Sequence, residues 1–229
     1  MRRPGVPEDL ADAGELWDRA VTLALATTAV GDGDEYTFKG RTSVHCWNSG
    51  GAYWWRLERF DGDRALLTGQ DSDGSHTHLG RTPVDLLDGG PPWLPWERLR
   101  ADAADRLLGY AYWWQDGAWA RAAYPDGLSD DGLGMSVPWA APGGAGVRKT
   151  IERLASLIHP DDDPADEVLR FLGRVRERTV DGAAVGALAD ALYPPVLRED
   201  EEEEDIDAVV DVAAGLTLAR DLGVAAHAG

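Results

Sequence analysis

The sequence predicts an α+β fold, with an N-terminal helix, an antiparallel meander sheet of about five to six strands and a C-terminal helical section. Two observations lead to this prediction. Between residues 36 and 70, aromatic and β-branched runs are separated by short loops rich in Asn, Asp and Gly, as in strands joined by hairpins. Beyond residue 146 the strand signals stop, and apolar residues recur at three- and four-residue intervals, as in amphipathic helices.

The N-terminal helix is predicted to begin around Pro7, where proline and two acidic residues precede an apolar pattern. That pattern starts at Leu10 and repeats at helical spacing as far as Ala24. Proline and acidic residues are typical of the first turn of a helix. The Gly-Asp run at residues 31–34 is expected to end it.

The meander is predicted to contain four strands. They are residues 36–39, 42–47, 52–60 and 64–69. Trp54 and Trp55 are adjacent in the third strand, so their side chains point to opposite faces of the sheet. One of the two is expected to enter the core, and the other to be covered by a second layer or offered to a partner.

The middle of the chain predicts a second aromatic hairpin. Residues 84–87 predict a short strand or a turn, and the proline-rich stretch 89–96 predicts a bend. Residues 97–108 predict a helix. Residues 110–121 form aromatic runs on either side of Asp-Gly, a strong hairpin signal. The alternative is one continuous helix over 97–122. Gly109 and Gly117 argue against it, because glycine disfavours the interior of a helix.

The last third of the chain predicts helices only. Residues 124–146 are loop-rich and mark the predicted boundary, with a sheet domain at 1–146 and a helical section at 147–229 packed on it, or one single domain. Four helices are predicted, at residues 147–159, 164–180, 181–193 and 205–222. Their short connections favour antiparallel packing.

Composition excludes several classes of protein. The net charge of −19 argues against binding to a nucleic-acid backbone and favours a basic protein partner, although a genome-wide acidic bias would produce the same composition. Cys46 is the only cysteine, which rules out an internal disulfide and favours a cytoplasmic location. No apolar run predicts a membrane span or a secretory leader. The oligomeric state is left open.

No catalytic constellation is predicted. Cys46 follows His45 in a predicted strand, where adjacent side chains face opposite ways, so the thiol is better interpreted as a buried structural residue. The common hydrolase, zinc-protease and nucleotide-binding motifs are absent. The Gly-rich stretch at 143–146 precedes a predicted helix but does not follow a strand, which disfavours a phosphate cradle. We therefore predict no catalytic residues and no cofactor.

One loop has the composition of a metal site. Asp71, Asp73, His76 and His78 place carboxylate and imidazole ligands close together, as calcium and zinc sites do. An EF-hand loop that began at Asp71 would require a bidentate Glu at its twelfth position, where Thr82 stands. A solvated loop is the favoured interpretation, and a metal site is the alternative.

Two kinds of residue are candidates for an interface. Exposed tryptophan is typical of interaction hot spots and of sugar-binding platforms. Acidic loops suit a basic partner, but acidic residues before a helix are also stabilised by its N-terminus. The candidates are Trp54, Trp55, Asp61, Asp63, Trp113, Trp114, Glu201 and Glu203.

A leading helix over 7–24 followed by the aromatic meander gives residues 7–125 a resemblance to bacterial immunity proteins of the SUKH type. The segment PEDLADAGELWDRA lacks that family's Leu-Pro helix motif, so no functional residue is carried over. The resemblance implies a non-catalytic protein that neutralises a toxin by occlusion, with its sheet and acidic loops on the toxin. The alternatives are a metal-assisted enzyme that uses the loop at 71–78, and a tryptophan-lined module for carbohydrates or small ligands.

Overall fold

The computed structural model describes residues 1–31, 33–157, 163–193 and 210–226. Within these residues, the centre is a six-stranded antiparallel sheet, and a two-stranded pair lies in the loop after its fourth strand. In chain order the strands are β1 (Glu35–Phe38), β2 (Ser43–Trp47), β3 (Tyr53–Phe60), β4 (Arg64–Asp71), β5 (His78–Leu79), β6 (Thr82–Pro83), β7 (Tyr110–Gln115) and β8 (Ala118–Arg121). The large sheet has the order β1-β2-β3-β4-β7-β8. The predicted α+β fold is confirmed.

The described helices precede, interrupt and follow the sheet. They are α1 (Ala13–Val30), α2 (Trp96–Ala104), α3 (Leu133–Ser136), α4 (Gly143–Leu157), α5 (Ala165–Glu177), α6 (Gly182–Leu192) and α7 (Val212–Asp221). Short 3-10 turns lie at Pro7–Asp9 and Pro138–Ala140. The predicted hairpin at 110–121 is confirmed, and the alternative of one helix over 97–122 is wrong.

Helix α1 is the central element of the inner layer. Its start differs from the prediction, because residues 7–9 form a separate turn and the Asp12 side chain caps the helix by accepting a hydrogen bond from the Glu15 amide at 2.8 Å. Gly31, with φ of 77°, ends it in the left-handed conformation. Fourteen of its eighteen residues are buried, since the sheet lies on one side and α5, α6 and α7 lie around the rest.

The sheet has a layer on each face. On the inner face, Trp55 packs against Trp139 in the cluster that contains α1, with ring centroids 5.0 Å apart. On the outer face, Leu66 and Trp113 pack with Leu94 and with Leu99 of α2 in a smaller cluster. Residues 84–94 form turns rather than a strand, and these turns carry α2 onto the outer face. This second layer is one of the two arrangements expected from the adjacent tryptophans.

The C-terminal helices share the core cluster of α1. Helix α4 begins at Gly143, before the predicted start at 147. The predicted helices at 164–180 and 181–193 correspond to α5 and α6, and the C-terminal part of the prediction at 205–222 corresponds to α7. The boundary at residue 146 stays a prediction. Within the described residues, no helix combines the length and the apolar character that crossing a membrane requires.

Candidate functional site

The outer face of the sheet is only half covered. Helix α2 and the turns before it pack over β4 and β7, where Leu66, Ala111 and Trp113 are buried. On the β1–β3 side, the outward-facing Glu35, Thr37 and Trp47 are exposed. We call this side, with the residues beneath it, the open half of the outer face.

Trp47 is the main exposed feature of the open half. Its side chain is 43% exposed, the largest fraction among the ten tryptophans, all of which lie in the described part of the chain. It pairs with Trp54 on the neighbouring strand, with ring centroids 5.8 Å apart, and its ring lies 4.6 Å from that of His45. The Arg56 guanidinium lies 5.6 Å from the centre of the Trp54 ring. Contact with Trp54 and His45 holds Trp47 in place, and Arg56 packs in turn on Trp54.

Several polar atoms beneath Trp47 and beside α2 have no hydrogen-bond partner among the described residues. They are His45 Nε2, Trp54 Nε1, Arg56 Nη1, Thr68 Oγ1 and Asp102 Oδ2. An unsatisfied buried polar atom costs about 1–3 kcal/mol, and natural proteins keep few of them. Three of these five atoms, on His45, Trp54 and Arg56, belong to the open half, and all five are buried rather than exposed at its surface.

The electrostatics make His45 a neutral hydrogen-bond donor. Burial, followed by the nearby charges of Arg56 and Arg98, lowers the pKa of His45 to about 4, so the ring is uncharged at neutral pH. The Arg56 guanidinium can only donate, and it lies 3.5 Å from His45 Nδ1. The ring proton therefore belongs on Nε2. Glu58 and Arg98 form an ion pair that ties α2 to β3. The unpartnered N–H groups of His45, Trp54 and Arg56 lie buried in the open half, where Trp47 is the exposed ring.

The tryptophans predicted for an interface occupy different environments. Trp55 is 1% exposed in the inner core, and Trp113 is buried under the turns that lead to α2. Trp114 is half-buried on the inner face, with its ring 5.6 Å from that of Trp119. Of the four, only Trp54 lies in the open half, and it is 7% exposed beneath Trp47. The burial of Trp55, Trp113 and Trp114 follows from the two layers that cover the sheet.

The acidic candidates have a mixed outcome. Asp61 and Asp63 are exposed at the β3–β4 hairpin, and their place in an interface stays a prediction. Glu201 and Glu203 lie outside the described residues. Trp47 was missed as a candidate because it carries no motif. The available signal was its position as the last residue of a strand, directly before the Asn48 turn.

The loop at 71–78 does not assemble its four predicted ligands. Asp71 is buried, and its Oδ1 accepts hydrogen bonds from the amides of Asp73 and Gly74, at 3.0 and 2.7 Å. His76 bonds Ser129, while His78 contacts Thr77. In the described ranges, no three His, Cys, Asp or Glu side chains form a group that could hold a metal ion. The Asp71 carboxylate shapes its own loop, and the geometry does not support the metal-assisted enzyme.

Cys46 is a buried structural residue, as predicted. Its thiol has no exposure and lies 3.6 Å from Asp34 Oδ2. Burial, with the nearby Asp34 carboxylate, raises the pKa of Cys46 far above its usual value. The thiol is therefore not activated as a nucleophile.

Comparison of the chain with protein-family models, with curated proteins and with solved structures finds no match. The resemblance to SUKH-type immunity proteins stays a prediction. Function is therefore inferred from the geometry and charge of the open half.

Proposed function

We propose that this chain is a non-catalytic, cytoplasmic protein-binding domain of the immunity type, which neutralises a basic toxin or effector by occlusion. The observation that carries the proposal is Trp47, a large apolar side chain left exposed on the uncovered half of the outer face. Tryptophan is strongly enriched among residues that dominate binding energy. Its neighbours His45 and Trp54 restrict its motion, so little side-chain entropy is lost when a partner covers it.

The surroundings of Trp47 suit a protein partner. Trp54, His45 and Arg56 have N–H groups without partners among the described residues. Because these N–H groups are buried, the contact that a bound protein makes here is chiefly with the exposed indole of Trp47. Strand β1 forms the adjacent edge of the sheet, where a partner can also approach the backbone.

Charge favours a basic partner. The net charge of −19 attracts a cationic protein over long distances and speeds its association. Glu35 is exposed within the open half, and Asp61 and Asp63 are exposed at the β3–β4 hairpin. Because exposed charges are screened by salt, the proposal requires that affinity fall as ionic strength rises.

The test is capture, identification and quantitative binding. The tagged chain is used to capture partners from a lysate of its source cells, and the captured protein is purified and titrated against wild type, Trp47→Ala and Leu169→Ala. Leu169 is the matched control, since it is 47% exposed on α5. We expect a basic partner whose affinity falls roughly thirtyfold in Trp47→Ala, about 2 kcal/mol, and stays within about twofold in Leu169→Ala.

Three outcomes would contradict separate parts of the proposal. A partner that binds Trp47→Ala as tightly as wild type would exclude the open half as the binding surface. A partner that binds equally well at low and high salt would exclude the electrostatic contribution to affinity. If the partner is harmless when it is expressed without this chain, the immunity function is wrong even though the binding is real.

A carbohydrate or small polar ligand is the second candidate. The exposed indole of Trp47 also suits a sugar ring that stacks on its face. Titration with a glycan panel tests this candidate through tryptophan fluorescence. A saturable change in wild type that is lost in Trp47→Ala would favour it, and no change with any glycan would leave the protein partner as the better explanation.

A further inference from the structure

A cavity lined by arginines lies away from the open half. It has a volume of about 240 Å³, and five separate segments of the chain contribute to it. Its charged residues are Asp18 of α1, Arg41 of the β1–β2 turn, Arg59 at the end of β3, and Arg176 and Arg178 at the end of α5. We call this cavity the Arg pocket.

The Arg pocket is positively charged in a strongly acidic protein. Four guanidinium groups and one carboxylate line it, so four minus one leaves three positive charges. Arg176 Nε lies 3.4 Å from Asp18 Oδ2, and the Arg59 guanidinium lies 5.3 Å from the centre of the Trp17 ring. Within the described residues, the guanidinium groups of Arg41 and Arg178 have neither a hydrogen bond nor an ion pair.

Several arginines elsewhere in the protein have a carboxylate partner. Arg19, which is buried, and Arg98 and Arg153, which are half-buried, each pair with a carboxylate. Three cations without a carboxylate partner in one concavity repel one another, and the repulsion is relieved when an anion enters. The Arg pocket is therefore distinguished by bringing several guanidinium groups into one concavity.

The favourable effect of helix C-termini on cations explains the position of only some of the arginines in the Arg pocket. Helices α5 and α7 both end near the pocket, and helix C-termini favour cations. That effect explains Arg176 and Arg178, which belong to the last turn and the cap of α5. It does not explain Arg59, which reaches the pocket from a strand on the inner face of the sheet.

The backbone brings Arg41 close to the C-terminal segment. Gly223 has φ of 73°, and a Cβ atom there would lie 3.0 Å from both Cδ and Nε of Arg41. A side chain at residue 223 would therefore be strained and would press on the guanidinium group. Glycine at this position keeps the pocket wall close to Arg41.

We propose that the Arg pocket binds a small phosphate-bearing anion, such as a phosphate monoester or a diphosphate. The planar guanidinium fork matches the oxygens of phosphate. A group with two or more charges and several oxygens can engage three cations, whereas a single carboxylate pairs fully with one. The volume of about 240 Å³ lies below the range of about 300–1,000 Å³ for drug-sized ligands, which favours a small anion.

The test uses inorganic diphosphate as the probe. Isothermal titration and phosphorus NMR are run at constant ionic strength on wild type, Arg41→Gln, Arg178→Gln and the control Arg81→Gln. Arg81 is exposed in the β5–β6 turn. The Arg81→Gln substitution therefore removes the same charge outside the pocket. We expect one saturable site per chain and a loss of affinity of about tenfold or more in each pocket variant, with Arg81→Gln unchanged. Urea unfolding checks that the variants remain folded.

Three results would overturn the proposal. They are the absence of saturable diphosphate binding, an equal effect of Arg81→Gln and the pocket variants, and tighter binding of a tetraglutamate peptide than of diphosphate. The last result would assign the pocket to an acidic peptide. None of them bears on the partner of Trp47, since Arg59 points to the inner side of the sheet and Trp47 to the outer side.

Discussion

The neighbours of His45 control the pKa of its side chain. His45 lies on β2, packed beside the rings of Trp47 and Trp54 and next to Arg56. Burial and two nearby guanidinium groups lower its pKa to about 4, from an ordinary value of 6.5. The neutral ring is part of the folded structure, so a proton on His45 opposes folding.

We therefore expect His45 to weaken the protein at acid pH. Between pH 6.5 and pH 4 the unfolded chain binds the proton and the folded chain does not, so stability is full above this window and falls within it by up to about 3 kcal/mol. In His45→Gln, the free energy of unfolding should depend less on pH across this window, as measured by urea unfolding. His78→Gln, at an exposed histidine, is the control. Equal pH dependence in wild type and His45→Gln would contradict the expectation.

At the scale of elements, a single carboxylate joins α4 to the sheet. Asp34, which is 5% exposed, accepts hydrogen bonds from Arg153 of α4, from the Tyr53 hydroxyl at 2.8 Å and from Asn48 at 2.9 Å. Burial alone would raise the pKa of Asp34, but these partners, with Arg153 first, hold it below its usual value. The contact keeps α4 against β3.

Removing the cation should loosen this junction. We expect Arg153→Gln to lower the free energy of unfolding by about 2–4 kcal/mol, because it leaves a buried carboxylate without its ion pair. The loss should shrink as the pH falls toward the pKa of Asp34, since a protonated carboxyl needs no cation. Asp34→Asn in the same chain should recover part of the loss, which a double-mutant cycle measures. Strictly additive effects would show that the two side chains are not coupled.

At the scale of the whole molecule, one apolar cluster includes α1, the inner face of the sheet and helices α5 to α7. Residues such as Val21, Leu25 and Ala29 of α1 are fully buried. The C-terminal helices contact α1 directly, and Gly215 of α7 allows a close approach, because a Cβ there would lie 3.2 Å from that of Ala29. Helix α1 is thus a central helix rather than a surface helix.

A chain that ends at residue 146 should therefore fail to fold cooperatively. Without α5, α6 and α7, the far side of α1 would expose a continuous apolar surface, and burying Val or Leu side chains contributes about 1.5–3 kcal/mol each. We expect residues 1–146 to lack the sigmoidal urea transition and the near-ultraviolet circular dichroism of the full chain. A sharp transition in this fragment would instead show that the predicted sheet domain is an independent unit.

The predictions that succeeded rest on local patterns. Neighbouring residues determine the strand periodicity, the Asp-Gly hairpins and the end of α1 at Gly31. The α+β class and the order of elements therefore follow from the sequence. The buried Cys46 follows in the same way from its place in an apolar strand. Alternation along β3 also shows that Trp54 and Trp55 face opposite sides, because that geometry belongs to any strand.

The features that the sequence did not reveal depend on contacts between distant segments. Whether an outward tryptophan is exposed depends on how far α2 extends over the sheet, and α2 covers Trp113 but leaves Trp47 open. Asp131 was not foreseen, although it is fully buried and accepts hydrogen bonds from Gly5, Tyr112, Tyr124 and Leu133. The position of Arg41 and Arg178 in one pocket was also not foreseen.

The amino-acid sequence alone thus specifies which segments become strands and helices, because their periodicity and turn residues act over a few positions. Packing in three dimensions specifies which side chains stay exposed and which charges meet. Exposure depends on which faces of the sheet and helices are covered, as at the open half of the outer face. The meeting of charges depends on segments that are distant in the chain, as in the Arg pocket.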